Sequence, residues 1–324
     1  PTDWTDTVFA ETVSFRKAIV EQEMNFDATT FTETADFAEV SFTDDVSFGG
    51  ADLAGATFKQ ADLSDGSFDQ TNLRGANLEG AILARASLLG TDLRDARLAR
   101  AMLGDVYIDH ETAFLNRPGD DGAREHHSIA GVFSQPTCVY DPSHEQETPH
   151  TDVDKAKSVY RTLEELGRKH ARPRLQAQSF VRRQDLHTAG YKQAVLGAEA
   201  WEQRLVAGAR WARAKVARTT LLYGESPWRV IAWSLGIILS FALLYPLGGW
   251  IMPADGAPIT YTQIAATPAE LFNSVYYSTL TYTALGFGDF QPVGLGRLLT
   301  TIETGLGAVM LALLVFILGR RAAR

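Results

Sequence analysis

"ADLAGATFKQADLSDGSFDQTNLRGANLEG", residues 51–80, repeats one rule every five positions. Leu53, Phe58, Leu63, Phe68, Leu73 and Leu78 are large and apolar, and Ala51, Ala56, Ala61, Gly66 and Ala76 stand two positions ahead of five of them. A period of five matches neither the helical period of about 3.6 nor the strand period of about 2, so an ordinary helix or strand is excluded. A short fixed period signals a solenoid in which each repeat fills one side of a coil. The large residue occupies the interior, and the small residue lets the opposite corner close.

The rule continues through Leu83, Leu88, Leu93, Leu98, Leu103 and Ile108. Upstream, Phe9, Phe15, Val20, Phe26, Phe31, Phe37, Phe42 and Phe48 alternate steps of six and five, so an extra residue bulges outward at alternate corners. The interior positions from 9 to 108 predict about five coils and a rod of about 24 Å at strand spacing. "ADLAG", "ADLSD" and "ANLEG" resemble the pentapeptide-repeat proteins, and the resemblance implies a square right-handed β-helix with four repeats per coil. Its repeated faces suit assembly, or a cytoplasmic ligand or protein partner, and they carry no catalytic constellation. No enzyme activity is expected.

The charge is divided. Residues 1–150 carry 27 acidic and 10 basic side chains, whereas residues 151–324 carry 12 and 20. The acidic half reads as a solvated surface, and nucleic acid is not a favoured partner. Residues 109–152 are rich in turn formers and read as a linker or cap. Their His126, His127, His144 and His150 match no standard metal-site spacing, and Cys138 is the sole cysteine. From 153 to 222 the text turns helical, with Val159, Leu163 and Leu166 on one face, a break at Arg172-Pro173 and a second stretch over 177–221. Its basic, aromatic end "RWARAKVARTT" suits anionic headgroups or packing within a helical domain.

Two stretches are long and apolar enough to cross a bilayer, 230–250 and 298–318. No Lys or Arg lies between Arg229 and Arg297, while basic residues flank both outer ends, which predicts a multi-pass cell-membrane protein with both termini cytoplasmic. Between the spans, Thr267, Pro268 and Glu270 provide an N-cap, N1 and N3 for a pore helix over 268–283. It runs into "ALGFGD", 284–289, a poor helix and a poor strand. Non-helical backbone at membrane depth must be buried in protein or line a watery cavity. Gly286 and Gly288 allow successive carbonyls to face one way, and such a row can replace the water around a cation. The interruption reads as a selectivity filter; the bland reading is a re-entrant loop that conducts nothing.

Span, pore helix, filter and span resemble the two-transmembrane potassium-channel pore family over residues 223–324. The family's filter, Thr-Val-Gly-Tyr-Gly-Asp, lies on Ala284, Leu285, Gly286, Phe287, Gly288 and Asp289. The resemblance implies ion binding at Ala284 through Gly288, with Asp289, Tyr276 and Tyr277 as filter support. Gly307 falls at a gating hinge, and Gly305 is a second candidate; close helix packing is the alternative for both. Ala284 lacks the threonine hydroxyl that helps build the innermost ion site, which is expected to weaken discrimination. Glu303, a carboxylate inside a span, could face the pore, lie behind the filter and accept a hydrogen bond from the pore helix, or sit near the interface close to Arg297.

The expectation is a multidomain chain: β-helix over 1–108, linker or cap, α-helical connector, and an α-helical two-transmembrane pore domain. It implies a homotetrameric cation channel in a lipid membrane, potassium-selective or weakly selective with sodium also permeant. No cofactor and no metal beyond the permeant ion are expected. The rival reading is a membrane-anchored scaffold acting through its repeat rod.

Overall fold

The computed structural model describes residues 2–114, 151–198, 200–254, 256–286 and 288–322. They form two compact units, Pro1–Gly208 and Ala209–Arg324.

The first unit begins as a β-helix whose turns are joined by parallel pairing of very short strands. Thr2 pairs with Met24 and Met24 with Val46, a coil of 22 residues. Farther along, Asp52 pairs with Asn72 and Asn72 with Asp92, a coil of 20. The shrinkage follows from the sequence spacing, because six-five steps give way to fives. Exposed residues at 21–23, 32–34 and 43–45 mark the wider corners. Inside, phenylalanines stack along the axis: Phe26 on Phe48 at 4.9 Å, Phe48 on Phe68 at 5.1 Å and Phe37 on Phe58 at 5.0 Å. The strand spacing sets that distance, so identical rings in successive coils meet face to face.

Where Asn or Asp stands ahead of an interior Leu, it has a local job. Asn72, Asn77 and Asp92 accept from the backbone N–H two positions on, at 3.1–3.2 Å, and so start the corner turn. Threonine at the small position is also accommodated. Thr71 and Thr91 are buried, and their hydroxyls donate to the carbonyls of Phe48 and Phe68 at 2.6 Å.

The β-helix does not stop at 108. Ala113 bridges Asp92, and Phe114 is 1% exposed, so the coil continues through Phe114. A six-residue step hidden in the polar "DHET" concealed this. Thr112 takes the small position, its hydroxyl shared between Leu88 O at 2.7 Å and Asp109 Oδ1 at 2.9 Å. Asp109 accepts from the N–H groups of Gly90, Glu111 and Thr112 at 2.9–3.1 Å. The remainder of the expected linker, with its four histidines and Cys138, lies outside the described residues.

Helices α1 (Thr151–Lys169) and α2 (Pro173–Gly197) cap this end, so much of the expected connector belongs to the repeat domain. Tyr160, Leu163 and Leu166 join the apolar cluster of the last coils. Lys169 Nζ donates to Gly104 O and Asp105 at 2.7 Å, and Arg172 donates to Thr112 O at 3.0 Å. An uncovered coil end would leave unpaired backbone and apolar interior in water. The expected stretch over 177–221 is not one helix: Ala198 is extended, and α3 (Trp201–Val216) starts afresh with no buried side chain.

In the second unit a π-helical turn, Ala217–Leu221, leads into three left-handed residues, Leu222, Tyr223 and Gly224. Helix α4 (Pro227–Leu244) follows, then a 3-10 turn, Tyr245–Leu247. The first span was expected over 230–250, but Pro246 lacks an N–H and ends the α-helix at 244. After α5 (Tyr261–Ala266) come α6 (Ala269–Tyr282) and α7 (Gly296–Ala322). The N-cap expected at Thr267 falls instead on Pro268, with no side-chain cap; a capping box forms at Thr260 and Gln263, opening α5. Both α4 and α7 expose apolar side chains, among them Leu235, Leu239, Val315 and Phe316. Two helices of this length and composition suffice to cross a bilayer.

Leu73→Asp is expected to destabilise the β-helix by more than about 4 kcal/mol, whereas exposed Lys59→Ala changes little. Thermal unfolding followed by circular dichroism checks the contrast. At Asp109 burial pushes the carboxyl up, but the N–H groups of Gly90, Thr112 and Glu111 and the Thr112 hydroxyl hold it at about 2. A depressed value contributes stability above the unfolded value of about 3.9 and loses it as pH falls through about 2. Asp109→Asn is therefore expected to flatten the acid limb of a Tm-against-pH curve.

Candidate ion pathway

Helix α6 is wedged between α4 and α7 by groups from both spans. Tyr282 Oη donates to Ser234 Oγ of α4 at 2.6 Å, and Thr304 Oγ1 of α7 donates to Thr281 O at 3.2 Å. A Cβ on Gly307 would collide with the Tyr282 carbonyl, with its carbon at 2.9 Å, so glycine there permits α7 to touch the end of α6. Nothing lies within 4 Å of a Cβ built on Gly305.

The end of α6 is closed by backbone. Ala284 N–H donates to Thr281 O at 3.1 Å and Leu285 N–H to Leu280 O at 3.0 Å, the paired bonds of a Schellman cap. Ala284, at φ 56°, holds the left-handed position of that cap. A β-branched residue would be strained there, which gives a local reason for alanine where the resembling family has threonine. Gly286 and Gly288 follow at φ 41° and 82°. Ala284, Leu285, Gly286, Gly288 and Asp289 are exposed in the subunit, Leu285 at 62%. Phe287 lies outside the described residues.

The expected supporting aromatics gather behind this loop. Tyr276 and Tyr277 pack on Phe290 at 6.0 and 6.1 Å, and Tyr277 meets Tyr245 edge-on at 5.1 Å. Tyr276 also interacts with the Asp289 side chain. The loop returns through a two-strand ladder in which Ile251 pairs with Pro292 and Pro253 with Phe290.

Glu303 is brought into the same cluster and is fully buried. Tyr245 Oη donates to its Oε2 at 2.6 Å, and its Oε1 meets the Ser278 hydroxyl. The Ser278 contact fits the hydrogen bond expected from the helix over 268–283, whereas Tyr245 was missed from sequence, where the only signal was a polar group placed inside an apolar segment. At the opposite end, Arg320 of α7 pairs with Glu225 at 2.7 Å, tying that end to the left-handed elbow before α4. Among the described residues, no cluster of His, Cys, Asp or Glu is placed to hold a metal ion.

The model of a family described as "Ion channel" matches residues 237–324, and that of "Pentapeptide repeats" matches eight copies over 44–80 and 71–106. "Protein LctB" of Geobacillus stearothermophilus is 32% identical over 106 residues, covering 32% of this chain and 76% of that protein. Among solved structures, a pentapeptide-repeat protein of the cyanobacterium Cyanothece 51142 is 22% identical, covering 28% of this chain and 61% of that one, with a TM-score of 0.18. One from the Arabidopsis thaliana thylakoid lumen is 25% identical, covering 34% and 70%, with a TM-score of 0.19. A glycine-bearing loop held between two apolar helices and the ion-channel match over residues 237–324 converge on one assignment. The chain is a membrane protein of the ion-channel family, of the two-transmembrane potassium-channel type, joined to an N-terminal pentapeptide-repeat β-helix.

Proposed function

We propose that four copies surround a common axis and form a potassium-selective channel whose filter is residues 284–288, with the β-helix and its cap in the cytoplasm. The observation that carries this reading is the end of α6. Its C-terminal turn directs the negative end of the helix dipole toward the loop. The loop places two left-handed glycines among side chains exposed in the isolated subunit. A permeant cation needs several oxygens in place of its water, and one loop cannot enclose it. Four can.

The Ala284 position offers no hydroxyl to the innermost site, so potassium is expected to be favoured over sodium less strongly than where threonine supplies one. Gating is assigned to the repeat domain. A partner that binds open and closed forms unequally shifts the channel between them, and the β-helix has the repeated surface for such binding. Displacement reaching the elbow at 222–224 would act on α4 directly and on α7 through Glu225 and Arg320.

Purified protein in planar bilayers with potassium on one side and sodium on the other tests the channel. A cation current reversing toward the potassium potential is expected. Gly286→Ala or Gly288→Ala should abolish that selectivity, because a β-carbon in the left-handed region costs roughly 1–2 kcal/mol. Full selectivity in either variant would sink the filter assignment. A chain beginning at Leu222 is expected to conduct with an altered open probability; gating identical to the full chain would remove the regulatory role.

A further inference from the structure

Glu303 has an arrangement that an ionised carboxylate does not explain. Tyr277 Oη lies 2.9 Å from Thr300 Oγ1, which lies 3.4 Å from Tyr245 Oη. Tyr245 Oη lies 2.6 Å from Glu303 Oε2. The other carboxyl oxygen meets Ser278 Oγ, and Ser278 Oγ lies 2.8 Å from the Ile238 carbonyl. The row crosses all three membrane helices: α6 through Tyr277 and Ser278, α7 through Thr300 and Glu303, and α4 through Ile238, with Tyr245 at its C-terminal end.

The protons can be counted. Ser278 carries one hydroxyl hydrogen but touches two oxygens that only accept when Glu303 is ionised, Oε1 and Ile238 O. One of these contacts would then be oxygen against oxygen with no proton between. If Glu303 is a neutral acid, Oε1 donates to Ser278, Ser278 donates to Ile238 O, and Tyr245 donates to Oε2. Tyr277 then donates to Thr300 and Thr300 to Tyr245, so each contact in the row has its hydrogen.

Charge points the same way. The side chain is fully buried, and among the described residues its hydrogen-bonding neighbours are Tyr245 and Ser278, neither of them cationic. An unpaired anion in such a site carries a large desolvation cost, and protonation removes it.

We infer that Glu303 acts as a neutral carboxylic acid, a positioning residue that pins the pore helix to both spans and so holds the filter from behind. This rests on the filter reading of residues 284–288. Glutamine is the discriminating substitution, since its amide N–H replaces the acid proton and its carbonyl accepts from Tyr245. Alanine removes both functions.

The test pairs two readouts on the full-length protein in lipid. Infrared difference spectra between wild type and Glu303→Gln at neutral pH report the carboxyl directly, with no need for ion flow. A protonated-carboxyl carbonyl band in wild type that the variant lacks is expected; an ionised-carboxylate band lost instead would overturn the proposal. Reversal potentials in potassium against sodium report positioning. Glu303→Gln is expected to keep the permeability ratio within about twofold of wild type, whereas Glu303→Ala or Ser278→Ala lowers it by roughly tenfold, the scale of a buried polar group left unpaired. Loss in Gln as severe as in Ala, or no loss in Ala, overturns the positioning role. Absence of cation current in wild type would defeat the channel reading and with it the positioning role, while the infrared band would still decide the protonation state.

Discussion

A backbone that leaves the helix inside a membrane has no water to satisfy its polar groups, and that constraint organises the second unit. The break after Tyr282 is met first by the chain itself. Ala284 and Leu285 return their N–H groups to Thr281 and Leu280. A neighbouring helix adds to this, with Thr304 of α7 donating to Thr281 O, while Tyr282 ties the end of α6 to Ser234 of α4. Gly307 belongs to the same solution, because any side chain there would push α7 away from the end of α6. In the proposed tetramer, the remaining loop carbonyls face permeant cations.

The first unit answers a related demand in water. A β-helix satisfies its backbone by pairing each coil with the next, which leaves its last coil open. Helices α1 and α2 close that end with apolar side chains and with the cations of Lys169 and Arg172 on late-coil oxygens. Inside, the coil is narrow enough that each large residue rests on its counterpart in the next turn, as in the Phe26, Phe48 and Phe68 stack. The buried hydroxyls of Thr71 and Thr91 are tolerated because a carbonyl in the preceding coil lies within reach of each.

Both units are punctuated by left-handed backbone, with different consequences. In the β-helix it recurs at the corners and is held by Asx turns and by pairing above and below. In the second unit, besides Gly249 and Gly294, it gathers among the described residues at Leu222–Gly224 and at Ala284, Gly286 and Gly288. One of these groups precedes α4 and the other follows α6. Strained conformations persist where surrounding contacts over-determine them. The Glu225–Arg320 pair and the Schellman bonds supply such contacts here.

The amino-acid sequence alone determined the two architectures, because each rests on a periodicity or a length. Interior residues every five positions admit only a coil, and long apolar stretches around "ALGFGD" admit only spans with an interruption. It left unseen whatever depends on residues distant along the chain. The six-residue step to Phe114 was hidden by polar neighbours, and the early stop of α4 depended on how Pro246 met the helix end. Sequence marked Glu303 as costly but left its direction open, since a helix face is chosen by what packs against it. Tertiary structure decided that, bringing Tyr245 and Ser278 to the carboxyl from 58 and 25 positions away. A local pattern can require that a buried acid find partners; only packing in three dimensions decides which groups are near enough to serve.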